Sequence, residues 1–280
     1  MQLWLEGLQT QRNLDRLVLT HFRDRLETGE YSTARHLASA QARTIKEPCI
    51  HGRYLELGCG TQVSCDTSGN DVEVYAIDIQ ARTVREFRRH HPDAEEVIVC
   101  DARSLPFRDS VFNNVASTDV LHHLVGSRPL ISRNNVEAVL RETRRIMDSG
   151  GMLWINEQIA RNRLFRHVMF YVTLLCAQLR VEVNFFDIHS RVVAYFMTEE
   201  ELTILLCYNG FTLSEKEVRE WDTWAERKKG LRSYSCTAIC TTTRLPVGQY
   251  TIRVDGSPAE TVDESNVDKA SPYPAMAQAR

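Results

Sequence analysis

Apolar and polar positions alternate with two different periods along this chain, and the change of period divides it. Over residues 1–47 the apolar positions Leu14, Leu17, Val18, Phe22 and Leu26 recur at helical spacing, and a second helical stretch covers about 33–45. Pro48 ends that pattern and sets a boundary near residue 50, so residues 1–50 are expected to form a helical cap. From Arg53 onward, short apolar runs alternate with amphipathic stretches. YLELG, VEVYAID, EEVIVCD, FNNVAST and GMLWINE predict strands at 54–58, 72–78, 95–101, 112–118 and 151–157. ARTVREFRRHH and NNVEAVLRETRRIM between them have the 3.6-residue period of helices. Two further strands are predicted at about 212–220 and 233–243. Strands alternating with helices imply parallel βαβ units and a doubly wound α/β sheet covered on both faces.

The later segments carry their own signals. TEEELTILLCYNGF (198–211) predicts a helix with Thr198 as N-cap, Glu201 closing a capping box and Gly210 near the stop. Residues 158–196 form an insertion rich in apolar and aromatic side chains, expected to act as a lid. Within it the apolar helix 163–180, with Phe185, Phe186, Tyr195 and Phe196, is expected to roof an acceptor pocket. Packing on the sheet and a homodimer seam are the alternative readings of that helix, and its basic flanks also suit weak contact with a membrane surface. Beyond Arg244 the chain is rich in Pro, Ser, Ala and acidic residues without apolar period, which predicts a disordered tail over 245–280.

Composition narrows the function classes. The hydrophobic share of 43% suits a globular domain over about 51–244, and the net charge of −3 argues against general nucleic-acid binding. The basic helix carrying Arg82, Arg85, Arg88, Arg89, His90 and His91 reads as a solvated outer face. Eight cysteines lie scattered with no Cys-x-x-Cys pair, so no zinc site is expected and the thiols read as reduced and cytoplasmic. The N-terminus lacks a basic start followed by an apolar core, and no window reaches the roughly 20 apolar residues of a membrane span.

Chemistry gathers at the predicted carboxyl ends of the strands. Gly58 and Gly60, in Glu56-Leu-Gly-Cys-Gly-Thr, let the backbone turn tightly and approach a ligand. Asp78 ends the next strand, where a carboxylate can bind both hydroxyls of a ribose. Asp101-Ala102 follow strand three, where a carboxylate can accept from an adenine amino group. Ser117-Thr-Asp-Val-Leu-His-His-Leu ends strand four. Open α/β sheets bind ligands at this edge.

The runs Leu55-Glu-Leu-Gly-Cys-Gly-Thr, Ala76-Ile-Asp-Ile, Cys100-Asp-Ala-Arg-Ser-Leu-Pro-Phe, Asp119-Val-Leu-His-His-Leu and Gly150-Gly-Met-Leu resemble the class I S-adenosylmethionine-dependent methyltransferases. The closest resemblance is to the small-molecule branch typified by ubiquinone/menaquinone-type enzymes. It implies a seven-stranded, mostly parallel Rossmann-like sheet with one antiparallel strand and S-adenosylmethionine as cofactor. It also implies methionine-moiety contacts from Glu56, Gly58 and Gly60, ribose contacts from Asp78, and adenine contacts from Ile79, Asp101 and Ala102. Ser117 would face the sulfonium and the acceptor. One stretch departs from the family: Gln62-Val-Ser-Cys-Asp-Thr-Ser-Gly-Asn-Asp is too polar and turn-rich for the usual helix.

The expected reaction is in-line methyl transfer to a small, largely apolar molecule of biosynthetic or secondary metabolism. Alignment and exclusion of water are its main demands. Where the acceptor must lose a proton, His123 is the first candidate base, with His122 second and His189 third. Two other readings remain open. One is a regulatory or non-methylating protein on the same fold. The other is a nicotinamide-dependent oxidoreductase, disfavoured because Val63 stands where a third glycine belongs.

Overall fold

The computed structural model describes residues 50–68, 71–179, 193–220 and 231–241, all in the first of two units into which the chain divides after Arg244. The helices expected over 1–47, His189, Phe185, Phe186 and the 245–280 tail lie outside the described residues. β1 (Gly52–Leu57), β2 (Val72–Asp78), β3 (Glu96–Val99), β4 (Phe112–Thr118), β5 (Met147–Ala160), β6 (Phe211–Glu220) and β7 (Leu231–Cys240) form one sheet. Its order is β3-β2-β1-β4-β5-β7-β6. β1 through β5 pair in parallel, and β7 runs antiparallel to both β5 and β6. The expected seven strands with one reversed are all present.

Both faces of the sheet are buried, as continuous apolar strands require. On one face Leu55, Leu57, Ile77, Val115, Leu153 and Ile155 join a single core. Helix α2 (Pro129–Ile146) adds Val136, Val139 and Leu140 to it, and α4 (Glu199–Tyr208) adds Leu202, Leu205 and Leu206. On the opposite face Ala76 packs with Phe87 of α1 (Ala81–His90), while Tyr54, Ala116 and Trp154 form a neighbouring cluster. The outward residues Arg85, Arg89 and His90 of α1 are exposed, in keeping with a solvated face.

Several boundaries differ from the sequence reading, three of them as follows. Helix α2 begins five residues early, because Pro129 fits the first helical turn, where its missing N–H costs nothing. Strand β5 starts at Met147 and crosses the Asp148–Gly151 stretch through a register shift, with Gly150 at φ 84°. It also continues to Ala160, so the first three residues of the expected insertion are strand. Thr198 does cap α4, its side chain accepting from the Glu201 N–H. The capping box is not the main role of Glu201: its carboxylate accepts from Arg166 at 2.5 Å and from the Tyr195 hydroxyl at 2.7 Å.

Helix α3 (Arg163–Leu179) buries Phe170, Leu174 and Ala177 in the main core, and Met169 and Cys176 against Ala160, Ala194 and Phe196. It therefore packs as scaffold, and Phe170 points into the core. No helix among the described residues is long and apolar enough to cross a membrane.

Candidate functional site

Four turns and strand tips converge on the carboxyl edge of the central strands. After β1 the chain turns on Gly58 (φ 62°) and Gly60 (φ 54°), conformations that disfavour any side chain. A Cβ at Gly58 would lie 2.5 Å from a methyl of Val120, so glycine also sets how closely this turn approaches the β4 exit. The loop beyond contains no helix over residues 61–68, as its polar sequence predicts. Glu56 holds this loop. Its fully buried carboxylate accepts from the Ser64 N–H at 2.7 Å, the Ser64 hydroxyl at 2.5 Å and the Tyr54 hydroxyl. The structure thus gives Glu56 the task of shaping the loop in place of presenting its carboxylate to a ligand.

Asp78, at the tip of β2, ties two neighbouring segments together. One oxygen accepts from the Gln80 N–H at 2.8 Å and the other from the Gly60 N–H at 3.3 Å. These bonds fix the orientation of the Asp78 carboxylate at the strand tip. Ile79 beside it is 44% exposed, an apolar surface on which a flat ring can lie.

Asp101 departs from its expected role. Its two oxygens accept three bonds from the Arg103 guanidinium at 2.6–3.0 Å, and Oδ1 also accepts from the Arg103 N–H at 2.9 Å. Burial would raise its pKa, but the Arg103 bonds and charge prevail and hold it below the ordinary carboxylate range. A carboxylate so engaged is a poor acceptor for an adenine amino group. Ala102 and Ile79 are left to supply apolar contact there.

Ser117 and Thr118 end β4 with buried hydroxyls that have no partner, polar groups suited to meet a bound ligand. Asp119 then adopts φ 54°, a turn uncommon outside glycine, and its N–H donates to the Asn156 carbonyl at 2.9 Å. This bend starts the 3₁₀ turn Leu121–His123.

The turn delivers His122, not His123, into the most elaborate contact set. His122 is buried and its Nδ1 bonds a carboxylate oxygen of Glu157. The other Glu157 oxygen accepts from the Leu121 N–H at 2.6 Å, and the first also accepts from the Gln158 N–H at 2.9 Å. The His122 ring stacks on Phe196, with centroids 5.3 Å apart, and lies 4.0 Å from the ring of half-buried His123. The Tyr195 N–H donates to the His122 carbonyl at 2.9 Å, which clips residues 193–197 over the turn. Glu157 escaped the residue-by-residue reading, although an acid ending an apolar strand is the signal that singled out Asp78.

Asp119, His122 and Glu157 bring potential ligand atoms within 4.8 Å of one another, a spacing that a divalent cation could use. The backbone N–H groups already on both Glu157 oxygens favour a hydrogen-bonded pair there. Farther along the edge, an open groove of about 560 Å³ is lined by Arg161, Arg163, Thr198, Glu199, Lys216 and Arg232. Within it Lys216 pairs with Glu199 at 2.7 Å and Arg163 with Glu200 at 3.1 Å.

Residues 55–155 match the family model of the methyltransferase domain. The sheet built around these residues has the class I S-adenosylmethionine-dependent methyltransferase fold. S-adenosylmethionine is the cofactor that a methyltransferase domain of this fold implies. The positive-φ glycine turn, the Asp78 tip and the unpartnered Ser117 hydroxyl fit such a ligand. No curated protein sequence matches the chain. Solved structures share the methyltransferase fold. The complex between the Haloferax volcanii Trm112 methyltransferase activator and a putative methyltransferase matches with a TM-score of 0.56 and 14% identity, over 81% of this chain and 98% of that one. Geranyl diphosphate C-methyltransferase from Streptomyces coelicolor A3(2) matches at 0.52 and 10%, over 74% and 79%. The [4+2]-cyclase SpnF matches at 0.50 and 16%, over 74% and 80%.

Proposed function

We propose that this methyltransferase moves the methyl group of S-adenosylmethionine to a small, largely apolar acceptor held over the ends of β4 and β5. The observation that carries this reading is the order of groups along one edge: Asp78, the glycine turn, the Ser117–Asp119 bend, then His122 under Phe196. Gly58, Gly60 and Asp78 hold the cofactor's polar parts, Ile79 and Ala102 its base, and Ser117 lies toward the reacting end. The cofactor supplies a methyl carbon activated by positive sulfur. The protein's part is to align the acceptor and to keep water away. Phe196 and the apolar 193–197 stretch suit an apolar acceptor, and the sequence resemblance to quinone methyltransferases points the same way. Cell extract incubated with enzyme and isotopically labelled S-adenosylmethionine tests the proposal by mass spectrometry. A labelled apolar metabolite is expected; label found only in protein or nucleic acid would refute the acceptor class.

A second reading, a non-methylating catalyst on this fold, draws on the helix-free 61–68 loop and on the fold shared with the cyclase SpnF. Tight binding of S-adenosylmethionine without label transfer to any component of the extract would favour it.

A further inference from the structure

We infer that the outward face of α3 is a self-association surface on which a second copy of this chain docks, the two α3 helices running antiparallel. Helix α3 has seven exposed positions, and five of them hold large apolar residues: Leu164, Val168, Tyr171, Leu175 and Leu179, each half exposed or more. A surface helix ordinarily turns charged and polar residues outward. At 3.6 residues per turn the five side chains fall within one narrow stripe along the helix. The stripe lies opposite Phe170, Thr173, Leu174 and Ala177, which are buried. Helix α3 is thus apolar on both sides, a pattern that belongs to a helix covered all round. The stripe is contiguous and of the several-hundred-Å² size that marks an interaction site on a monomer.

Spacing and charge select the occupant. The intervals along the stripe are four, three, four and four residues, the seam of a coiled coil, and they read nearly the same from either end. Contact about a two-fold axis needs such a self-complementary surface. With the helices antiparallel, Leu164 of one copy meets Leu179 of the other, Val168 meets Leu175, and Tyr171 meets its counterpart beside the axis. A parallel pairing would set Arg163 against Arg163 and align the two helix dipoles side by side. Helix α3 contains no acidic residue, but α4 compensates its arginines: Arg163 pairs with Glu200 at 3.1 Å and Arg166 with Glu201 at 2.5 Å. Attraction to an anionic bilayer draws on basic groups around an apolar face, and these two are already neutralised. A neutral apolar stripe suits another neutral apolar stripe. The buried side of α3 sets Met169 and Cys176 against Ala194 and Phe196, so a docked copy braces the stretch that stacks on His122.

Sedimentation velocity of the full chain over a concentration series tests this. A species of twice the chain mass should form at micromolar concentrations, since a seam of one helix per copy is smaller than a standard interface. Val168→Glu and Leu175→Lys should each weaken association by about 100-fold or more, because each buries an unpaired charge among apolar side chains. Both positions face outward in the monomer, so the far-UV circular dichroism of each variant should match that of the parent. Mixing the two variants should bring association back to within about 10-fold of the parent, as the introduced carboxylate then faces the introduced ammonium across the seam. A parent that stays monomeric at every concentration, a dimer indifferent to both substitutions, or a mixture no tighter than its components would overturn the inference. A monomeric parent that floats with vesicles of phosphatidylcholine and phosphatidylglycerol would give the stripe to a membrane. A monomeric parent in which the thiol of Leu175→Cys resists alkylation would give it to another segment of the same chain.

Discussion

The N–H of Gly60 donates to Asp78 across the gap between β1 and β2, at 3.3 Å, so the glycine turn and the second strand tip are one unit. Asp78→Asn keeps an oxygen for the Gln80 N–H and sets an amide group against the Gly60 N–H. Affinity for S-adenosylhomocysteine should fall by about 1.5–3 kcal/mol, the scale of hydrogen bonds to a charged group. Calorimetric titration of the folded variant measures it. Unchanged affinity would remove Asp78 from the ribose site.

Gly58→Ala should destabilise the domain for two separable reasons. The left-handed backbone costs about 1–2 kcal/mol for a residue with a Cβ, and the new methyl meets Val120 at 2.5 Å. Adding Val120→Ala relieves the second term only. Urea unfolding should therefore show partial recovery in the double variant, and full recovery would mean that the turn has relaxed out of its positive φ.

Phe170 tests whether α3 is scaffold. Its side chain is fully buried and meets Tyr195 edge-on at 6.3 Å. Phe170→Ala should cost about 3–5 kcal/mol of stability, seen in denaturant melts, with cofactor affinity retained wherever the variant remains folded. A variant of normal stability with an altered acceptor KM would return the residue to the acceptor pocket.

Cys100 reports on the β3 tip. Burial, with the charges of Asp101 and Asp78, pushes its thiol up to about 11. The sign follows from the neutral form being the favoured one. This contribution to stability is complete below the ordinary thiol pKa and is lost as pH rises from about 9 through about 11. At pH 8 its alkylation by iodoacetamide should run about 100-fold slower than that of an unhindered thiol. Peptide mapping after timed labelling gives the rate, and a rate equal to that of free cysteine would contradict the burial.

The strands were legible because apolar runs buried on both faces leave little ambiguity, and the polar composition of 61–68 correctly predicted a loop without a helix. What escaped were relations between residues distant in sequence. Nothing local in LHHL says that the first histidine turns inward; Asp119 at φ 54° and a carboxylate 35 positions later decide it. Glu201 looked like half of a capping box, but Arg166 and Tyr195, brought to it by tertiary packing, took its carboxylate. Asp101 stands at the expected strand tip, yet its neighbour Arg103 claims both oxygens, a pairing that position alone does not reveal.

The pairing of β1 with β4, from Tyr54 opposite Asn114 to Leu57 opposite Ser117, gives the sheet a division of labour. Everything assigned to the cofactor except Ser117 hangs from β1, β2 and β3, and everything assigned to the acceptor hangs from β4, β5 and the 193–197 stretch. The two workshops share a wall but few tools. A graft that exchanges residues 161–197 for the corresponding segment of another methyltransferase leaves the glycine turn and Asp78 untouched, so this boundary is where new acceptor preferences can be fitted without rebuilding the donor side.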